Sequence, residues 1–549
     1  MKKNLLFALL GLLFSPKLLA QDTLTVFNNV PFYSMYHYLG AGQTLPVEAY
    51  SQIPQDAIRI HAYELDVISR KLTVNEISAL GSSLTVNVTL IAACDNYDRL
   101  AGVNLVLAPK GDTTYTWDQA NIKRIEIGRF ITPFMNKNAT IKQVPYTYRV
   151  DNIASLLHDS TLMANYDAWI EFRADGYSAA ANTEVAGCAN RTDVFRGTLT
   201  FVSDGAPDTT SNKFFLPISY RQNLNNYNAT DVAGQTTRIV NFTLDQPVEN
   251  AVLYLITSNH GSNSGGEEYN RREHYVYLDN ELKFHYKPGG KSCEPYRQYN
   301  TQGNGIYGSA VQPVRSWLSF NNWCPGDAVP NREIQLGNLA AGSHSIKLDV
   351  PTAVFTGGQG YFPVSMYIQN RPSGQEICRA PYNLAITGQA ADSVSLSWTE
   401  NGQSTQWEVL WGRKGVYSTS NDFYQPVNGT PVISRDSLKK TWFYEMYVRS
   451  KCDGGSNSEW VGPVFSAKIV AAKPNQNPNV SVYPSPTKDV VYISAPTAIE
   501  KVWVYAADGR RVLESSEAKV NLSGLGKGMY LFAVYFADGQ FATHQIVKE

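Results

Sequence analysis

The chain has 549 residues, more than one ordinary domain holds, and its length suggests three or four. Its formal charge is −1 and only 17% of residues are charged, a balance that argues against nucleic acid or an anionic membrane as the main partner. Tyrosine is abundant, at 33 residues, and tryptophan adds 10; with Val and Thr they fit pleated, half-buried surfaces, so an all-β chain is expected. Such aromatics are ordinary sandwich core, and platforms for sugar faces are the sharper alternative.

Residues 1–20 read as a secretory signal peptide. Lys2 and Lys3 precede an apolar run from Leu5 to Phe14, and the stretch ends near Ala20-Gln21. That run makes about 15 Å of helix, too short for a bilayer. Nothing later approaches eighteen unbroken apolar residues, so no transmembrane segment is expected. Removing Lys2, Lys3 and Lys17 takes the formal charge from −1 to −4. Export makes the six cysteines candidates for three disulfides, with fifteen connectivities open. None stands in a CxxC pair, which argues against a zinc ribbon.

Short alternating runs bounded by turn residues follow. Leu84–Ile91, Tyr275–Leu278, Val394–Trp398 and Lys501–Tyr505 each show the period of a strand with one buried face. Helical periodicity is scarce, with one or two turns expected from Val150 to Leu157.

Most of the chain's apparent chemical motifs are decoys. Gly290-Lys-Ser292 resembles the end of a phosphate loop, but His285 stands where that loop needs Gly. Asp95-Asn-Tyr-Asp98 lacks the Gly and distal Glu of a calcium loop, and neither HExxH nor GxSxG occurs. Two acidic clusters remain. Cys94-Asp-Asn-Tyr-Asp-Arg99 ends a strand, and Gly265-Gly-Glu-Glu-Tyr-Asn-Arg-Arg-Glu-His274 follows a turn-rich stretch containing His260. Either could be a solvated loop with weak ion pairs. Together they could supply paired carboxylates for general acid and base work among aromatics that bind sugar.

Cys94-Asp-Asn-Tyr-Asp-Arg99 and Glu126-Ile-Gly-Arg-Phe-Ile-Thr-Pro-Phe134 resemble the CDxxDR and EIGRFITP signatures of the peptide N-glycosidase F family. Gly266-Glu-Glu-Tyr269 with His274 is similar to that family's catalytic Glu-Trp segment. Asn322-Trp-Cys-Pro-Gly-Asp-Ala-Val-Pro330 resembles its WCPGxAVP stretch. The resemblance spans roughly residues 22–372, with an insertion near 55–80. It implies two adjacent eight-stranded jelly rolls, residues 21–208 and 209–372, with the site at their interface.

It also implies roles. Asp98 and Glu268 match catalytic acids, and Glu171 in Ala168-Trp-Ile-Glu-Phe172 is taken as the third. Arg99, Tyr97, Tyr269, His260 and Trp323 match substrate-binding positions, with tyrosines at 97 and 269 where the family has tryptophan. A binding arginine expected before the WCPG segment is missing, and Arg315 is the substitute. The family disulfide flanking the catalytic glutamate is absent, since Gly266 and Asn270 occupy both positions. Cys293–Cys324 matches a family pair. The first-domain cysteine expected before Cys94 is absent, which leaves Cys188 as the partner of Cys94.

Residues 376–470, with Ala380–Leu384, Val394–Trp398, Gln406–Trp411 and Phe443–Arg449 in order, resemble a fibronectin type III domain. That layout brings Cys378 and Cys452 together. A Pro- and Asn-rich linker spans 471–479. Residues 480–549, with Val480-Ser-Val-Tyr-Pro-Ser-Pro and Gly528-Met-Tyr, resemble the C-terminal sorting domain of type IX secretion cargo, a small β-sandwich.

The implied activity is hydrolysis of the amide joining N-acetylglucosamine to asparagine, without cofactor or metal. Its substrates would be N-glycosylated proteins or glycopeptides, acted on by a monomer that is secreted or held at the cell surface through the type IX machinery. The competing classes are a non-catalytic glycan-binding surface protein on the same double jelly roll and a glycosidase cutting within the chitobiose core.

Overall fold

The computed structural model describes residues 22–34, 46–62, 65–207, 213–224, 237–262, 266–318, 321–355, 360–370, 378–390, 392–416, 422–452, 457–466, 480–507, 510–537 and 541–549. The expected signal peptide and the linker at 471–479 lie outside these residues. The chain divides into two compact units, residues 1–377 and 378–549.

In the first unit, alternation in the sequence becomes alternation of burial. Strand β4 (Ser83–Ala92) turns Leu84, Val86, Val88, Leu90 and Ala92 inward. It lies in a four-stranded antiparallel sheet ordered β1 (Asp22–Tyr33), β9 (Asp193–Asp204), β4 and β7 (Gln143–Arg149). Against this packs a larger sheet ordered β15 (Ala328–Val329), β6 (Lys123–Ile131), β5 (Leu100–Pro109), β8 (Tyr166–Ala174), β3 (Leu65–Lys71) and β2 (Ala57–Ala62). Val103, Leu105, Leu107, Ile170 and Phe172 belong to the core between the two sheets. The other face of the large sheet carries Asn104, Glu126 and Glu171 opposite one another in register, a polar strip inside the protein.

This jelly roll therefore exceeds the eight strands expected. The 55–80 insertion folds as the β2–β3 hairpin and a short helix, Val74–Ala79, capped by Thr73 and Glu76 in a reciprocal capping box. Strand β15 comes from the second half of the chain. The helix expected near Val150 is present as Asp151–Leu157, burying Ile153, Ala154, Leu156 and Leu157.

The second jelly roll has eight strands in two four-stranded sheets. One is ordered β10 (Phe215–Leu224), β18 (Phe362–Asn370), β12 (Val248–Thr257) and β16 (Arg332–Leu339). The other is ordered β11 (Thr237–Leu244), β17 (Gly342–Asp349), β13 (His274–Leu278) and β14 (Glu281–Tyr286). Its own core includes Leu253, Leu255, Val276, Ile346 and Leu348. Val252, Tyr254 and Tyr367 instead join the core of the first jelly roll.

The second unit contains two sandwiches. Strands Tyr382–Gln389, Val394–Thr399 and Val432–Arg435 make a three-stranded sheet. Strands Phe423–Asn428, Gln406–Arg413, Tyr444–Lys451 and Val461–Phe465 make a four-stranded one, closed over Trp398, Trp407 and Trp411. That three-plus-four arrangement is a two-sheet β-sandwich. Residues 481–548 form sheets of three and four strands around Val502, Val504, Phe532 and Ile546. The disulfides Cys94–Cys188, Cys293–Cys324 and Cys378–Cys452 leave no free cysteine among the described residues, and they are the pairings the resemblances implied.

Candidate functional site

Two irregular segments come together where the jelly rolls meet. The first is the turn between β4 and β5. Its entry is fixed by Cys94–Cys188, which ties together residues 94 positions apart. Asp95, next in sequence, is wholly buried, and four hydrogen bonds converge on its carboxylate. Arg99 donates through Nε (2.7 Å) and Nη2 (3.1 Å), and the backbone N–H groups of Tyr97 (3.0 Å) and Tyr177 (2.7 Å) supply the rest. A buried carboxylate so satisfied is an anchor. It holds Arg99 by one edge, and Nη1 of Arg99 makes no hydrogen bond within the described protein. Tyr97 is 40% exposed, with the Arg99 guanidinium 5.4 Å from its ring centroid and Phe134 at 5.6 Å.

Asp98 sits differently. It forms none of these ion pairs and is only partly accessible. Burial, then the negative charge of Glu268, push its carboxyl up to about 7, against the opposing pull of Arg99.

The second segment is the turn at residues 266–270. Glu267 is wholly buried and holds the turn from within, bound by Arg272 at 2.7 and 2.9 Å and by the Val354 N–H at 2.9 Å. Glu268 points the other way and is partly accessible. Its Oε2 accepts the Gly261 N–H (2.9 Å), and Tyr269 hydrogen-bonds to it. Burial raises its pKa, and those two hydrogen bonds hold the rise back. Asn322 donates to the Glu268 carbonyl and clamps the turn's backbone. Where the family would carry a disulfide, Asn270 Nδ2 donates to the Gly266 carbonyl at 3.0 Å, so one hydrogen bond spans the same two positions. Gly360, at φ +84°, passes beneath this turn; a Cβ there would meet the His260 carbonyl at 2.6 Å.

His260 and Trp323 form the adjoining wall. The imidazole lies 5.2 Å from the Tyr361 ring and 5.7 Å from Trp323, whose Nε1 donates to the Asn259 carbonyl (2.8 Å). The site thus unites two carboxyls whose pKa values are both raised, a half-committed arginine and an aromatic rim.

Residues 23–185 match the family model for peptide-N-glycosidase F, N terminal, and residues 226–369 match that for its C terminal. Together these account for more than half of the chain.

The chain belongs to the peptide-N-glycosidase F family.

Residues 481–549 match the secretion system C-terminal sorting domain, which marks this family member for secretion or cell-surface attachment by the type IX route. No helix of the described residues is long and apolar enough to cross a membrane. Among solved structures the chain is similar to PNGF-II, at 20% identity and a TM-score of 0.47, covering 64% of this chain and 66% of that one. It is also similar to recombinant peptide:N-glycanase F (17%, TM-score 0.41, covering 64% and 97%). A third is PNGase F, a glycosylasparaginase from Flavobacterium meningosepticum (16%, TM-score 0.40, covering 64% and 96%). Comparison with curated proteins found no match.

Within this N-glycanase-family fold, two expected site residues fall elsewhere. Glu171 is wholly buried in the polar strip, bound by Arg124 Nε (3.0 Å to each oxygen), Tyr115 (2.8 Å) and Asn104 (2.7 Å). Its charge is fully used, and none of these partners belongs to the Asp98 segment. The acid from this strand's end that does reach that segment is Asp175, two strand repeats further on and just past the end of β8. Its N–H bonds the Leu100 carbonyl (3.1 Å), and its carboxyl feels the charges of Arg173, Arg221 and Arg99. Burial nevertheless raises its pKa. Arg315, on the short helix Val314–Leu318, is wholly buried, so it offers no face to a glycan without rearrangement. His274 is a neutral core residue stacked on Tyr286 and Phe362, its pKa lowered to about 3 chiefly by burial.

Proposed function

We propose that the chain is a peptide-N4-(N-acetyl-β-glucosaminyl)asparagine amidase acting on exported or surface-exposed N-glycoproteins. The observation that carries this reading is the meeting of Asp98 and Glu268, 170 positions apart in sequence, as two carboxyl groups with raised pKa beside Arg99. A site meant only to bind sugar gains nothing from burying two like charges together. Acid–base chemistry does.

In this mechanism Asp98, once ionised, removes a proton from water as its oxygen attacks the side-chain amide carbon. Arg99, pinned by Asp95, directs its unused Nη1 donors at the carbonyl oxygen and stabilises the developing oxyanion. Glu268 returns a proton to the departing nitrogen, directly or through water. Addition of one water gives Asp in the peptide and a glycosylamine, which decomposes in water to ammonia and free glycan. Tyr97, Tyr269 and Trp323 are assigned to the sugar faces and Asp175 to orienting Arg99.

Mass spectrometry of a denatured glycoprotein incubated with the purified chain tests this. Asn converted to Asp at each glycosylation site is the expected result. One sugar left on Asn would identify a glycosidase, and unchanged glycopeptide retained on the protein would identify a binding module.

A further inference from the structure

Behind the site runs a buried chain of hydrogen bonds that ends on His260. It begins at Glu126, wholly buried, whose oxygens accept from Arg129 (3.0 and 2.6 Å), from Arg221 (2.9 and 2.7 Å) and from the Ser365 hydroxyl (2.6 Å). Arg129, also wholly buried, spends its third nitrogen on the Pro363 carbonyl (2.7 Å) and on Ser258 Oγ (2.9 Å). Ser258 Oγ stands 2.7 Å from His260 Nε2.

Proton counting fixes the direction of this chain. The guanidinium can only donate, so Ser258 Oγ accepts from Arg129. The single hydroxyl proton then has one acceptor within reach, Nε2 of His260. A ring that accepts at Nε2 and is neutral carries its proton on Nδ1. Neutrality follows from burial and from the positive charges of Arg129 and Arg221, which lower the pKa of His260 to about 3. Tyr361 and Trp323 pack the ring, and turning it over in that plane would put a ring carbon where Nε2 now meets Ser258 Oγ and lose the 2.7 Å hydrogen bond. Nδ1 has no hydrogen-bond partner among the described residues, and the ring keeps 9% exposure. The next residue, Gly261, donates to Glu268, so the free N–H belongs to the same wall as the candidate acid.

We infer that Ser258, held by Arg129, is a positioning residue that locks His260 as its neutral Nδ1–H form, a donor for an uncharged oxygen of the bound substrate. That oxygen is a carbonyl or hydroxyl of the sugar–amide linkage. A neutral donor suits it, because a histidinium here would pair with Asp98 or Glu268 and remove the base. Which oxygen it meets rests on the amidase reading; the locked tautomer does not.

Nitrogen-15 NMR of histidine-labelled protein, with His260 assigned through His260→Gln, reads the tautomer directly. The expected spectrum shows a protonated Nδ1 and a bare Nε2 from about pH 8 down to about pH 5. Ser258→Ala should mix the tautomers, and Ser258→Thr should restore one. With an N-glycopeptide, Ser258→Ala should raise KM about tenfold, the loss of one aligned hydrogen bond, with kcat held within about twofold. In the Asp98→Asn background, where turnover is not needed, glycopeptide Kd should weaken by the same factor. A protonated Nε2, a histidinium at about pH 6, or an unchanged Kd in Ser258→Ala would each overturn the proposal. Absence of turnover by wild-type protein would sink the amidase reading alone.

Discussion

Two sets of buried carboxylates line the same part of the molecule and meet opposite fates. Glu126 and Glu171 lie opposite Asn104 in register on the large sheet, and every oxygen is matched by an arginine, a hydroxyl or an amide. Burial alone would raise Glu126, yet Arg129 and Arg221 hold its pKa far below the usual range. Asp98 has its own backbone N–H and the unbonded charge of Arg99, Glu268 has Tyr269 and the Gly261 N–H, and both carboxyls are raised. A fully paired carboxylate is cement; an underpaired one stores the capacity to move a proton. The paired carboxylates are the more deeply buried, so burial alone does not explain which pKa values rise. Partner count does.

The sharpest way to break this contrast is Asp98→Asn. Turnover should fall by about 10²–10⁴-fold, the usual contribution of a positioned base. The substitution should also stabilise the fold. A carboxyl raised from 3.8 to about 7 binds more protons folded than unfolded, so wild-type stability drains away as pH rises across that window. Asp98→Asn removes that cost and should gain roughly 1–2 kcal/mol above pH 7, discounted for partial exposure, with no gain below about pH 4. Urea unfolding at both pH values checks it, and destabilisation at high pH would place Asp98 with the cement.

Glu126→Gln should do the reverse. It strands Arg129 and Arg221 without their counter-charge and should cost about 3–5 kcal/mol, seen as a lower urea midpoint. A loss below about 1 kcal/mol would show that the strip is hydrated and the contrast false.

Glu268→Gln should lose most activity and should also move what remains. Removing that neighbouring negative charge lowers the Asp98 pKa, so the acid limb of kcat/KM should shift from near 7 toward lower pH. A limb that stays put would mean that the two carboxyls titrate independently.

The finest test sits on one strand. Asp175→Asn should reduce kcat/KM by about tenfold through a loosened Arg99, while Glu171→Gln should cost stability and leave turnover per folded molecule intact. Interchanged phenotypes would restore Glu171 to the site.

That last pair also marks where sequence reasoning stops. The sheets were legible in alternating runs, the three disulfides in the family resemblances, and the two acids of the proposed reaction in the local signatures Cys94 to Arg99 and Gly266 to Tyr269. The burial of Glu171 in the polar strip was not. Residues 171 and 173 share one face of β8 and 175 continues that period just past its end, and only tertiary pairing shows which lies beside Leu100. A cue existed: Asp175 precedes Gly176, where the strand gives way to a loop. Asn322 had no such cue, since its hold on Glu268 joins loops 54 residues apart. Arg315 was taken as the substitute for the family arginine missing before the WCPG segment, and only packing shows that it is buried.

Strand β15 has a bearing on how the protein can be made. Its two residues, Ala328 and Val329, pair with Phe130 and Arg129 and cover the end of the outer edge of β6. Until residue 329 has been synthesised, that β6 edge is unprotected, with bare backbone donors and acceptors beside a buried arginine that lacks its partners on β18. Such an edge invites pairing with another copy. Expression of residues 21–208 alone should therefore yield aggregates rather than a stable half, and the two halves are better regarded as one folding unit in which a strand of the second completes a sheet of the first.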